Sequence, residues 1–98
     1  MLFAVIFNDN PDQANLREQN LEAHVLWLNE HRDKILVAGS LREKPGKTPI
    51  GGLWVVEEAS KKAVTQLLSS DPFFTRGLRQ SVQVLHWNKA FPARKVPV

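Results

Sequence analysis

An unbroken apolar run, Leu2-Phe3-Ala4-Val5-Ile6-Phe7, stands near the start of the chain and stops at Asn8-Asp9-Asn10. Successive side chains of a strand point to opposite faces. Leu2, Ala4 and Ile6 therefore share one face, and Phe3, Val5 and Phe7 share the other. Both sets are apolar, so a strand built from them needs a cover on each side. The run is too short for a signal-peptide core or a membrane span. Ser81 to Asn88 repeats the pattern, with Val82 and Val84 on one face and Leu85 and Trp87 on the other. A fold for this chain has to supply two covers to one sheet.

The remaining segments supply one. Asn10 offers an N-cap side chain, Pro11 fits a first helical turn, and Asp12 suits the positive end of the helix dipole. A helix is predicted from there to about Lys34, with Leu21, Val25 and Leu28 spaced as one apolar stripe. Ile35 to Leu41 reads as the second strand. Arg42 to Ile50, with Pro45, Gly46 and Pro49, reads as a loop, and Gly51 to Glu57 as the third strand. Ser60 is placed to cap a second helix with the stripe Ala63, Val64, Leu67 and Leu68. Asp71-Pro72 ends that helix, because a residue before proline is pushed out of the α region. Phe73 to Gly77 is expected to form a short turn, and Ser81 to Asn88 the fourth strand. Residues from about 90 to 98 form a tail.

This order predicts an α+β, ferredoxin-like βαββαβ sandwich with a four-stranded antiparallel sheet, one domain over residues 1–98. Two helices cover one sheet face. The open face is expected to pair with a second copy as a homodimer; the competing cover is the tail or the long loop.

Composition removes several classes of function. The 98 residues contain no cysteine, which excludes disulfides and thiolate metal ligands and is compatible with the expected cytoplasmic location. The net charge of +3 owes much to Lys89, Arg94 and Lys95, and elsewhere basic and acidic residues alternate. Nucleic-acid binding needs a basic face rather than a mildly basic tail. Neither a nucleic-acid nor a membrane partner is expected.

His24, His31 and His86 lack the close spacing of a metal motif. G-x-S-x-G, P-loop and G-x-G-x-x-G patterns are absent, and Gly51-Gly52 reads as the opening of a strand. His24 lies three residues after Leu21 and four before Leu28, on the apolar side of the first helix, with Arg17 one heptad earlier on the same side. Imidazole is the usual proton-transfer group at neutral pH. The same placement suits a ring that packs and bonds to a carbonyl. Asp71 reads either as an N-cap before Pro72 or as a carboxylate that accepts an imidazole N–H. Phe73 and Phe74 suit a pocket wall or core plugs. Arg42, Lys44 and Lys47 in the loop are expected to be solvated.

Several segments resemble those of the YciI-like (YCII-related) family of small ferredoxin-like proteins. They are LREQNLEAHVLWL with Arg17 and His24, ILVAGSL over Ile35–Leu41, Gly51 opening the third strand, DPFFTRGL from Asp71, and VQVLHW in the fourth strand. The resemblance covers nearly the whole chain. It implies a dimeric α/β barrel-type assembly and a His-Asp site, which falls on His24 and Asp71 as catalytic residues. Arg17 matches a family arginine. Ser40 stands where many members have proline, Gly52 where many have serine, and Leu21 where a second arginine is frequent. Arg17, Ser40, Gly52 and Phe73 are the expected substrate contacts, with no metal and no cofactor. The implied function is a cofactor-free enzyme of small-molecule metabolism, with lyase or isomerase chemistry, such as dehydrochlorination, on a small cyclic or aromatic compound. The alternative is a non-catalytic ligand-binding or accessory dimer. An RNA-binding sheet shares the element order, but the third and fourth strands lack the K/R-G-F/Y pattern.

Overall fold

A computed structural model describes residues 1–96. Strand β1 (Leu2–Asp9) leads through a single 3-10 turn (Pro11–Gln13) into helix α1 (Ala14–Glu30). Strands β2 (Ile35–Leu41) and β3 (Gly51–Glu57) follow, then helix α2 (Lys61–Leu68), the one-turn helix α3 (Pro72–Thr75) and strand β4 (Arg79–Trp87). The sheet order is β2-β3-β1-β4 and every pairing is antiparallel. This is the ferredoxin-like α+β arrangement.

The doubly apolar β1 takes a central position, paired on both edges. Its register sets Val5 between Trp54 and Val84, and Phe3 between Val56 and His86. Phe3, Val5 and Phe7 are buried beneath the helices, where they join Trp27, Ile35, Trp54, Val56, Val64 and Leu68 in one core. Leu2, Ala4 and Ile6 point to the opposite face and are half-buried. That face also presents Leu53, Leu85 and Trp87, which remain 36%, 39% and 40% exposed. Tail residues Lys89 to Val96 wall a groove of about 740 Å³ at one end of this face, together with Leu2, Leu36, Val37, Val55 and Trp87. Phe91 and Val96 themselves stay exposed. The tail therefore edges the face without covering it; residues 97 and 98 lie outside the described residues. No helix among the described residues is long and apolar enough to cross a membrane.

The first helix departs from its predicted form in three ways. The Asn10 side chain makes no capping bond; its backbone N–H donates to Leu78 O at 2.7 Å, which ties the residue to the approach to β4. The helix stops at Glu30, because the N–H groups of Lys34 and Ile35 turn back onto His31 O at 3.0 and 2.8 Å and hand the chain to β2. Of its predicted apolar stripe only Leu28 packs against the core. Leu21 and Val25 are 47% and 52% exposed, while His24 and Trp27 are buried. The Trp27 indole lies 5.5 Å from that of Trp54 and donates to Ser70 Oγ at 3.0 Å. Two large rings, one with a satisfied polar tip, outweigh an aliphatic stripe in setting the rotation of α1.

Helix α2 follows the predicted scheme. Ser60 Oγ accepts from Ala63 N–H at 3.1 Å, and Val64 and Leu68 are buried. Strand β3 opens on a glycine because β1 passes too close for a side chain. A Cβ at Gly51 would stand 2.0 Å from Phe7 O and 3.1 Å from Phe7 C, whereas one at Gly39 would meet nothing within 4 Å. Both Phe7 atoms are backbone, so nothing there yields without separating the central strands. Gly51→Ala is expected to cost about 4 kcal/mol or more, and Gly39→Ala to change stability by less than about 1 kcal/mol. Urea melts of the two variants measure the contrast; equal stabilities would refute the close approach.

Candidate active site

Asp71 sits in extended backbone between α2 and α3 and caps the latter, with its Oδ1 accepting from Phe73 N–H at 3.1 Å. The same oxygen lies 2.6 Å from Nδ1 of His24. A carboxylate oxygen offers more than one lone pair, so the capping and imidazole-binding roles coexist. Asp71 is fully buried and His24 is 6% exposed. An ionised carboxylate only accepts, so in this contact Nδ1 carries the proton and donates. Asp71 Oδ2 is sealed without a partner.

The imidazole is fixed in plane as well as in hydrogen bonding. It stacks on the Phe73 ring at 3.8 Å with 9° between the planes, and Trp54 lies 6.4 Å away at 25°. Its Nε2 has no protein partner among the described residues. His24 lines a cleft of about 320 Å³ between α1 and β2, walled by Leu21, Val25, Leu28, Ala38, Pro49 and Phe73. Arg17, Ser40, Arg42 and Arg79 also line it. A ring nitrogen without a protein partner, on a histidine that lines a cleft, is available to accept a proton.

A second buried carboxylate organises the cations. The β1–β4 register shifts between Asn8 and Asp9, at the end where Asp9 pairs with Arg79. Asp9 Oδ1 accepts from Arg79 Nη1 at 2.8 Å, and its Oδ2 forms a short ion pair with Arg17 Nη2. Arg17 Nη2 also reaches Gly51 O at 3.3 Å. The Arg79 guanidinium carbon lies 4.3 Å from the Phe7 ring centroid and 5.1 Å from that of Phe73; Arg17 is also 5.1 Å from Phe73. Burial lowers the pKa of Arg79 from its ordinary value. The hydrogen bond to Asp9 and the charges of Asp9 and Asp71 oppose that effect, while the charge of Arg17 adds to it. Arginine starts so far above neutrality that the group stays a cation.

Five of the six expected site residues come together around the cleft: His24, Asp71, Arg17, Ser40 and Phe73. Asp71 stands behind the histidine rather than on the wall. Gly52 does not line the cleft; it lies beneath Arg79, whose Nη atoms would be 3.4 Å from an added Cβ. Arg42 is exposed, as expected of a solvated loop residue, and stands at the cleft. It lines the rim and donates to Ser40 Oγ and Lys47 O at 3.2 Å each. Phe74 is 40% exposed and is neither core plug nor cleft wall. Arg79 and Asp9 were missed by sequence reasoning. Arg79 directly follows the segment DPFFTRGL, and Asp9 stands among turn-forming residues; neither position marks itself as part of a site. Among the described residues no three His, Cys, Asp or Glu side chains are grouped to hold a metal.

The family model of the YCII-related domain matches residues 1–88. The chain belongs to the YCII-related family. It is similar to 5-chloro-2-hydroxyhydroquinone dehydrochlorinase (TftG) from Burkholderia phenoliruptrix AC1100, whose structure is a complex with 2,5-dihydroxybenzoquinone. The identity is 29%, the match covers 90% of this chain and 94% of that one, and the TM-score is 0.81. A candidate antibiotic biosynthesis monooxygenase from Bacteriodes thetaiotaomicron VPI-5482 matches over 99% of this chain and 95% of its own, at 15% identity and a TM-score of 0.57. That likeness speaks for the fold alone. No curated protein matches the sequence significantly.

The geometry around Asp71 fixes a tautomer. Nitrogen-15 NMR of the His24 ring is expected to show Nδ1 protonated, with Nε2 the bare nitrogen of the neutral form; a bare Nδ1 would contradict the Asp71 contact. Asp71→Asn retains an oxygen for both bonds and is expected to be better tolerated than Asp71→Ala. The alanine variant loses the cap and leaves Nδ1–H unpaired, at a cost of about 2 kcal/mol or more.

Proposed function

We propose that this protein is an enzyme of small-molecule metabolism in which His24 moves a proton on a small cyclic or aromatic substrate, with a lyase or isomerase outcome. The observation that carries this reading is the unspent Nε2 of a histidine whose Nδ1 is held by buried Asp71. In this reading Asp71 keeps Nε2 free and offsets the positive charge of the ring once it has taken a proton. Phe73 holds the ring plane, and Arg17 and Ser40 contact the substrate. The likeness to TftG supports elimination of hydrogen chloride as the reaction type. In such a step a proton leaves the substrate for Nε2, the released electron pair shifts through the ring, and chloride departs. Proton and chloride together balance the change, so the substrate exchanges no electrons with an acceptor.

His24→Asn separates this role from a packing role. Asparagine imitates one hydrogen bond of the ring but does not exchange a proton near neutral pH. Chloride release from 5-chloro-2-hydroxyhydroquinone is expected to fall about 100-fold or more, with the melting temperature moved by no more than about 4 °C. A large loss of melting temperature with turnover preserved would refute the catalytic role. Tight binding of the compound by wild type without turnover would favour a ligand-binding accessory protein.

The same proposal includes a homodimer through the sheet face away from the helices, supported by the exposure of Leu53, Leu85 and Trp87 there. Sedimentation is expected to give twice the 11.1 kDa chain mass. Leu85→Glu, which sets a charge in the middle of that face, is expected to give a folded monomer. A wild-type monomer at micromolar concentration would refute the pairing.

A further inference from the structure

The geometry points to Arg79 as the residue that receives a planar organic oxyanion in the cleft, with Arg17 as the second arm of the clamp. Its catalytic use rests on the proton-transfer reading above; its affinity for an anion does not.

Arg79 is unusual in being both buried and unspent. Its side chain is 3% exposed, yet it lines the cleft. Of the donors of a guanidinium, only Nη1 has a protein partner among the described residues, namely Asp9. Its Nε is sealed and unpartnered, and so is the Nε of Arg17. Buried donors without partners are rare and costly in native proteins. Arg79 Nη2 has no protein partner among the described residues either and is not sealed, so it is the donor open to an oxygen in the cleft.

The guanidinium is also held rigidly. Asp9 fixes one end, and the rings of Phe7 and Phe73 lie close to its carbon at 4.3 and 5.1 Å. Gly52 lies beneath it: a Cβ there would touch both Nη atoms at 3.4 Å, while its tight neighbour would be Gly39 O at 3.1 Å. A donor fixed in advance stabilises developing charge without reorganising at the moment of reaction. Charge favours an anion as well. Three cations, Arg17, Arg42 and Arg79, line the cleft, against two neighbouring carboxylates, Asp9 and Asp71, of which Asp71 is bound to His24. The apolar walls from Leu21, Val25, Leu28 and Phe73 suit a flat ring.

The position relative to His24 gives the clamp its use. Both the imidazole and the Arg79 guanidinium touch Phe73. When Nε2 takes the proton from a carbon beside a carbonyl, the C–H electron pair becomes the carbon–carbon double bond of an enolate. The carbonyl oxygen then holds the negative charge, and Arg79 donates to that oxygen. The proton rests on His24 and the charge on the oxygen, so the step balances.

The test is a titration of the wild-type protein with sodium benzoate and, separately, with uncharged benzamide. It is followed by the 1H–15N signal of Arg79 Nε–H, assigned through its side-chain carbons. Benzoate is expected to shift that signal saturably, and benzamide to bind at least about 30-fold more weakly. Arg79→Lys keeps a cation for Asp9 but loses the fork, and is expected to weaken benzoate binding about tenfold or more. Binding in His24→Asn is expected to persist. Failure of benzoate to bind, binding that leaves Nε–H unmoved, or equal affinity for benzamide would each overturn the clamp. A His24→Asn variant that turns over substrate like wild type while benzoate still shifts Arg79 would defeat the proton-transfer reading and leave the clamp standing.

Discussion

The hydrogen bond between Asp71 and His24 joins two helical segments across the sheet, beside the bond from Trp27 to Ser70. One partner stands in the middle of α1, the other at the turn between α2 and α3, and both are withdrawn from water. Burying a carboxylate is costly unless its oxygens find donors. Here one oxygen takes two, the imidazole N–H and the capped Phe73 N–H. The bond therefore fixes the start of α3, which positions Phe73 against the imidazole, and it acts with the packing of Trp27 on Trp54 to set the rotation of α1, which turns Leu21 and Val25 outward as cleft wall. A side chain that begins as a helix cap ends as the support of the site.

Asp9 plays the matching part at the end of β1. It gathers Arg17 from α1 and Arg79 from β4, so that both are drawn to one side of the sheet. The glycines at the start of β3 keep this region close-packed: Gly51 admits the backbone of β1, and Gly52 admits the backbone of β2 at Gly39 O and lies in contact range of the Arg79 guanidinium. Each carboxylate thus holds basic groups whose remaining nitrogens are free for something else, which is how a small domain keeps unspent donors and acceptors in place around one cleft.

Much of this was legible in the sequence because it follows from local chemistry. The bounds of β2 and β3, the Ser60 cap and the break at Asp71-Pro72 come from patterns whose causes lie within a few residues. The resemblance to the YCII-related family carried His24 and Asp71, a pairing that their separation along the chain gave no means of deriving. What was not legible depends on contacts between distant segments. Arg79 precedes the alternating stretch that signals β4, so it reads as loop until Asp9 is known to face it. Leu21 and Val25 have core spacing but lose the core to His24 and Trp27, because the partners of those two, Asp71 and Ser70, are supplied from beyond the third strand. Asn10 has the right type for a cap, yet its backbone is claimed by Leu78.

The central claim is that His24 exchanges a proton with a bound ring compound. The most direct measurement follows, by proton NMR in D2O, the exchange of the ring C–H positions of 2,5-dihydroxybenzoquinone with solvent deuterium. Wild-type protein is predicted to accelerate that exchange well above the rate in buffer, and His24→Asn to return it to the buffer rate while the compound still binds. Exchange that wild type does not accelerate, or that wild type and His24→Asn accelerate equally, would contradict the account.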